Sequence, residues 1–323
     1  MRKLLALALA VAVLAVAYGA WQWWGPGPLN EPTRVTIEEG SSLASASEEL
    51  SYAGAVDGLW ARPGDQWYLL ARLLGGNDPI QAGEFEIPAG ASGAEVLNIL
   101  QHGRPVVRLI TIPEGMPSIL VQEKLAALPE LTGRAPLPEE GSVLPNSYDW
   151  QKGETRAAVL KRMTDAMDNA LREEWAKRSA DSVVKSPREA IILASIVEKE
   201  TAKASERPMV AGVLSNRLRI GMALGADATT IYPVTKGKPL GRMIRKSELA
   251  ADNGYNTRRR AGLPVGPITN PGRDSIAAVL KPARTDALYY VADGSGGHAF
   301  ARTLQEHNAN VARWRAIRAA RGI

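Results

Sequence analysis

Between Leu4 and Ala20 the chain carries no charge, reading Leu-Leu-Ala-Leu-Ala-Leu-Ala-Val-Ala-Val-Leu-Ala-Val-Ala-Tyr-Gly-Ala before Trp21-Gln-Trp-Trp24. Such a run is long enough to cross a bilayer, and in hydrocarbon it must be helical so that its backbone groups pair internally. Arg2 and Lys3 suit the cytoplasmic side, and Trp21, Trp23 and Trp24 suit the far interface. The rival reading is a cleaved signal peptide. Tyr18 takes the position where a small residue would mark cleavage, and bulky tryptophans follow, so an uncleaved single-pass anchor is favoured. The N-terminus is then inside, in the cytoplasmic (inner) membrane, and the bulk of the chain is extracytoplasmic.

The remaining chain fits an α+β fold. At 323 residues it can hold two modest domains. It has no cysteine, which excludes a disulfide framework and thiolate-held metals. The net charge of +5 suits an anionic polymer or lipid headgroups, and solubility alone explains it equally well. Gly25–Pro32 reads as a proline-stiffened linker. Strands are expected at 34–37 and 82–87, the latter with outward acids, and helices at 41–50, 65–74 and 92–101. Strand character resumes at 105–112, a helix follows at 118–128, and 129–153 is rich in Pro and Gly, like a long functional loop. A long helix is expected at 155–178, with Val159, Met163, Met167 and Leu171 on its core face. Ser205 is placed to cap a later helix, and Gly221 to end it.

The densest chemistry lies in 186–232. Ser186-Pro187-Arg188-Glu189 reads as a capping box with proline at the first helical position. Leu193, Ile196 and Val197 then recur at helical spacing, and Glu200 is the next member of that stripe. Glu198 falls roughly 200° around the helix from Glu200. Glu200 should therefore face the packed side or a cleft in it. Partial burial and the negative helix end both raise its pKa, which suits a general acid. The plainer alternative is a helix-end glutamate paired with Lys199 or Lys203.

The run Ala194-Ser-Ile-Val-Glu-Lys-Glu-Thr201 is followed by Ala204-Ser-Glu-Arg207, Asn216-Arg-Leu-Arg-Ile-Gly-Met222 and Asp227 with Thr230-Ile-Tyr232. Further on come Tyr255-Asn-Thr257, Gly262-Leu-Pro-Val-Gly-Pro-Ile268, Asn270-Pro-Gly272, the stretch from Tyr290 to Phe300, and His307-Asn308. In order and spacing these blocks resemble the endolytic murein transglycosylase, or YceG-like, family. The resemblance implies a membrane-anchored enzyme with no cofactor and with Glu200 as its catalytic acid. It also implies a LysM-like module over 28–105, behind the anchor and linker start at 1–27. A connecting segment (106–153) and the catalytic domain (154–323) follow, with the glycan in a cleft between the lobes and a sheet containing 288–292 beside Glu200. The module either grips glycan or serves as a spacer. The sequence departs from the family at Asn146, where an acid is usual, although Tyr148 can still stack on a sugar. It departs again at Ala226-Asp227-Ala228-Thr229, where the family has Thr-Asp-Pro-Thr.

The expected activity is cleavage of the MurNAc–GlcNAc β-1,4 bond within nascent strands, leaving 1,6-anhydro ends and terminating elongation. The expected partners are peptidoglycan glycan strands and peptidoglycan synthases, with no nucleic acid. Around Glu200, the residues expected to touch substrate are Asn216, Arg217, Asp227, Tyr232, Tyr255, Asn256 and His298. Each has a structural alternative. Arg217 can be a buried ion pair with Glu198 or Asp227, Asp227 a turn cap, Tyr232 a core residue, and His298 a loop brace. No metal is expected, since His298 and His307 lack metalloprotease spacing. A non-catalytic glycan-binding scaffold is the competing function. A two-carboxylate hydrolase, with Asp227 as the second acid, is the third.

Overall fold

The computed structural model describes residues 2–56 and 64–322. Met1 and the side chain of Arg2, expected on the inner side of a membrane, lie outside the described residues. The chain divides into two compact units, Met1–Arg108 and Leu109–Ile323.

The first unit begins with α1 (Arg2–Trp24), within which Leu5–Trp24 is long and apolar enough to cross a membrane. There follow β1 (Thr33–Ile37), α2 (Leu43–Tyr52), α3 (Asp65–Leu74), β2 (Gly83–Ile87) and α4 (Gly93–His102). β1 and β2 pair antiparallel with Val35 opposite Phe85. Alternation sends Val35, Ile37, Phe85 and Ile87 to one face, where Leu50, Trp67, Val96 and Leu100 cover them. Ser42 caps α2, and Ser92 forms a capping box with Glu95 on α4.

Two expectations change here. Trp23 does not sit at an interface: it is 3 % exposed in this core, while Trp21 and Trp24 stay exposed. The last turn of α1 docks on the module, where a Cβ on Gly93 would press on the Trp67 ring and the Gln22 carbonyl. The strand acids also differ from each other. Glu86 is exposed beside Arg34, whereas Glu84 is largely covered and paired with Arg108.

The second unit contains β3 (which starts at Arg108 and ends at Ile112), α5 (Ser118–Ala126), β4 (Asn146–Trp150), α6 (Arg156–Ala176) and α7 (Pro187–Glu200). A 3-10 turn at Ala204–Glu206 leads into α8 (Arg207–Arg219). Then come α9 (Asp227–Thr235), α10 (Lys246–Ala250), α11 (Arg273–Leu280), β5 (Tyr289–Ala292), β6 (His298–Ala301) and α12 (Leu304–Arg321). Strands pair only two at a time among the described residues: β1 with β2, β3 with β4, and β5 with β6.

α7 is the centre of this unit. Every residue from Ala190 to Val197 is buried, so the helix is enclosed all round rather than along one stripe. It packs on α6, α8, α9 and α11. The expected loop at 129–153 contains β4, and Tyr148 is a core residue there, its hydroxyl donating to the Leu144 carbonyl at 2.6 Å. That burial removes it as a sugar platform. Ser205 lies inside the 3-10 turn and does not cap α8, which begins at Arg207-Pro208. Gly221 closes that helix at φ +67°.

Phe85→Ala, which empties a fully enclosed site beneath β2, is expected to cost about 3–5 kcal/mol. Denaturant unfolding followed by tryptophan fluorescence checks it.

Candidate active site

Glu200 is the last residue of α7, and Thr201 breaks the helix with extended backbone. The β5–β6 hairpin comes down on this end. Its register pairs Tyr290 with Phe300 and Ala292 with His298, so Tyr290, His298 and Phe300 share one face. Their rings lie 5.5–6.3 Å apart, with His298 edge-on to Tyr290. The Tyr290 hydroxyl donates to Glu200 Oε2 at 2.8 Å. Tyr289, on the opposite face, stacks on His307 of α12 at 5.2 Å.

Burial raises the Glu200 pKa above the ordinary carboxylate range. The Tyr290 hydrogen bond opposes that shift, Asp227 reinforces it by charge repulsion, and His298 and Arg217 oppose it. Lys203 pairs with Glu206 at 3.8 Å and does not neutralise Glu200. Burial therefore favours the protonated form of this carboxyl relative to an exposed glutamate.

Glu198 has the opposite character. Its side chain is 5 % exposed, and Oε2 accepts from the Gly272 N–H at 2.8 Å and the Ser275 hydroxyl at 2.7 Å. Arg207 lies 3.3 Å from Oε1 and also reaches Glu114 and Asp274. Two glutamates one residue apart thus separate into one tied in an ion pair and one bonded to a tyrosine hydroxyl with its pKa raised by burial.

The other expected residues divide by what they bond. Arg217 pairs with neither Glu198 nor Asp227. It donates to the Leu288 carbonyl at 2.7 Å and the Leu224 carbonyl at 2.6 Å, beneath the Tyr289 and Tyr290 rings. Asn216 braces the same strand approach through the Thr285 and Ala287 carbonyls. Asn256 is buried and donates to the Leu249 and Ala251 carbonyls. Tyr232 lies in the core against Tyr255, ring centroids 4.9 Å apart. Asp227 opens α9 and is held by Arg258 at 2.6 Å. His298 is fixed by Glu206, which accepts from its backbone N–H at 3.1 Å and contacts Nδ1 at 2.7 Å. The geometry therefore gathers Glu200, Arg217, Asp227 and His298 into one electrostatic environment. Asn216 and Asn256 are engaged by backbone carbonyls.

Four residues were given no role in the sequence reading, although three of them, Glu206, Arg207 and Tyr290, lie in the blocks that carry the family resemblance. Tyr290 and Glu206 are set by hairpin register and by a 3-10 turn, which periodicity does not reveal. Arg207 had one signal, an arginine beginning a helix that otherwise has an apolar face. Glu140 is a half-buried acid bonded to the Ser118 N–H at 2.9 Å and to Tyr232, and its desolvation raises its pKa.

The site is thus a half-buried carboxyl at the end of a central helix, overhung by an aromatic hairpin, in an α+β protein. The YceG-like family model matches residues 35–313, and the chain belongs to that family. It is 27 % identical to an endolytic murein transglycosylase of Streptococcus pneumoniae (strain D39), over 86 % of this chain and 57 % of that protein. An endolytic murein transglycosylase of Bacillus subtilis (strain 168) is 33 % identical over 53 % of this chain and 46 % of its own length. The chain thus spans about half the length of these relatives. A solved YceG-like protein of Listeria monocytogenes is 25 % identical, with TM-score 0.54, over 86 % of this chain and 98 % of that one.

Two predictions follow from this geometry. Arg207→Ala leaves the Glu198 carboxylate buried and unmatched, and should cost about 3–5 kcal/mol in denaturant unfolding. Glu200 has the reverse effect. Its folded pKa lies above its unfolded one, so the folded state binds the extra proton and stability falls as pH rises through that interval. Glu200→Gln should therefore melt higher than the parent above that interval. Below the unfolded-state pKa the gap should close, which a melting series against pH measures.

Proposed function

We propose that this protein is a membrane-anchored endolytic lytic transglycosylase acting on peptidoglycan. The observation that carries the reading is Glu200, an acid whose pKa is raised by burial and which accepts a hydrogen bond from a tyrosine hydroxyl. Glu200 protonates the oxygen between MurNAc C1 and GlcNAc C4, and the C1–O bond breaks through an oxocarbenium-like state. The GlcNAc part leaves with its 4-hydroxyl. The resulting carboxylate removes the proton of the MurNAc C6 hydroxyl, and O6 closes on C1. The product is a 1,6-anhydro end, and Glu200 is protonated again. One carboxyl serves both half-steps because its protonation alternates. The muramic N-acetyl group shares the charge at C1.

Asp227, Tyr255 and His298 are the side chains we assign to the glycan, with Arg217 steadying the local field. Tyr232, Asn216 and Asn256 shape the walls behind them. A single-pass N-terminal anchor, suggested by α1, would put the site outside the cytoplasmic membrane, beside nascent strands and the synthases that make them. There a cut within the strand terminates elongation. The order β1-α2-α3-β2 supports a LysM-like module over 28–105.

The hydrolase reading has Asp227 as its second acid, but Arg258 holds that carboxylate. The full chain in detergent, given uncrosslinked glycan strands, should yield internal fragments with 1,6-anhydro-muramic ends by mass spectrometry. Glu200→Gln should yield none. Reducing ends would establish a hydrolase. Glycan binding without products from the parent chain would favour a scaffold.

A further inference from the structure

The hairpin that covers Glu200 is fastened on both strands. Arg217 of α8 donates to the Leu288 carbonyl at the entrance to β5 and lies 5.7 Å from the Tyr289 and Tyr290 ring centres. Glu206 holds the start of β6 by contacts at both the backbone and the ring of His298. The His298 and Phe300 rings flank Tyr290 on the same face. These constraints fix one polar atom, the Tyr290 hydroxyl, 2.8 Å from Glu200 Oε2.

We propose that Tyr290 is the positioning residue of the acid: its hydroxyl donates to Oε2, so the transferable proton sits on Oε1. The same hydrogen bond takes up the charge left when that proton departs. A carboxyl oxygen that accepts from a phenol is the better carbonyl oxygen, and its partner is left to carry the hydrogen. When Oε1 gives its proton to the glycosidic oxygen, the bond to Oε2 becomes charge-assisted and strengthens. When Oε1 takes the C6 hydroxyl proton, the bond relaxes to its neutral form. The phenolic proton stays on Tyr290 throughout, because burial and the nearby carboxylate hold that phenol well above its usual pKa. The inference rests on Glu200 being the acid, and assigns what selects its working oxygen.

The experiment compares Tyr290→Phe, Phe300→Leu and Glu200→Gln in the full chain, measuring the rate of 1,6-anhydro end formation against pH. Losing a hydrogen bond to a charged group should lower kcat roughly tenfold to a hundredfold in Tyr290→Phe, with KM little changed. The bond favours the ionised form of Glu200, so its removal should move the alkaline limb of the profile to higher pH. Phe300→Leu disturbs the same ring cluster without touching the bond, and its alkaline limb should stay in place. A Tyr290→Phe limb that does not move, whatever its rate, overturns the proposal while Glu200→Gln inactivity keeps the function intact. Full activity in Glu200→Gln instead removes the reading beneath it. Carbon-13 titration of the Glu200 carboxyl in Tyr290→Phe tests the bond without turnover: an unshifted Glu200 overturns the proposal, and an upward shift supports it.

Discussion

The second unit depends on the buried meeting of Glu198 and Arg207. A carboxylate 5 % exposed and a guanidinium 8 % exposed are each costly alone, and together they demand full hydrogen bonding. Much of that demand is met by groups from three places in the unit, although the Arg207 Nε finds no partner among the described residues. Arg207 begins α8, Gly272 and Ser275 belong to the start of α11, and Glu114 comes from the turn after β3. The C-terminal end of α7 is pinned by this knot. Glu200, two residues on and on the other side of the helix, inherits a fixed position without engaging in the knot itself.

The acid is thus held by separated means. One side of the α7 terminus is tied by ions, and the other is capped by rings. Since the packed helices around α7 form the main core, the terminus has little freedom to unwind toward solvent. A desolvated carboxyl needs this kind of frame. Its raised pKa is a local instability, tolerated because neighbouring interactions over-determine the geometry.

Much of the fold was legible. The helix at 65–74 coincides with α3, and those at 41–50 and 92–101 match α2 and α4 within a residue or two, because serine caps and glycine ends are local signals. Glu200 was legible because its place on the α7 stripe follows from spacing alone, and so was its separation from Glu198. What failed were the features decided at long range. Tyr148 sits in a Pro- and Gly-rich stretch, so the strand that buries it was read as loop. Arg217 was given an acidic partner, yet the chain supplies backbone carbonyls, one of them at Leu288, more than sixty residues away. Tyr290 gains its role only from strand register, which places it and His298 on one face. Trp23 looked interfacial because the run around it is apolar, and only the folded module reveals that its neighbours are core.

That buried tryptophan has a mechanical consequence. With Trp23 locked beneath α4 and Trp67 bonded to the Gly93 carbonyl beside it, the first unit has no swivel at the end of α1. In a membrane-anchored chain the module would then be a stiff continuation of the membrane helix. Any tilt of the helix against the bilayer normal would become an equal tilt of the module. Lipid thickness, acting on an apolar segment of set length, would in this way govern the angle at which the first folded element stands above the membrane.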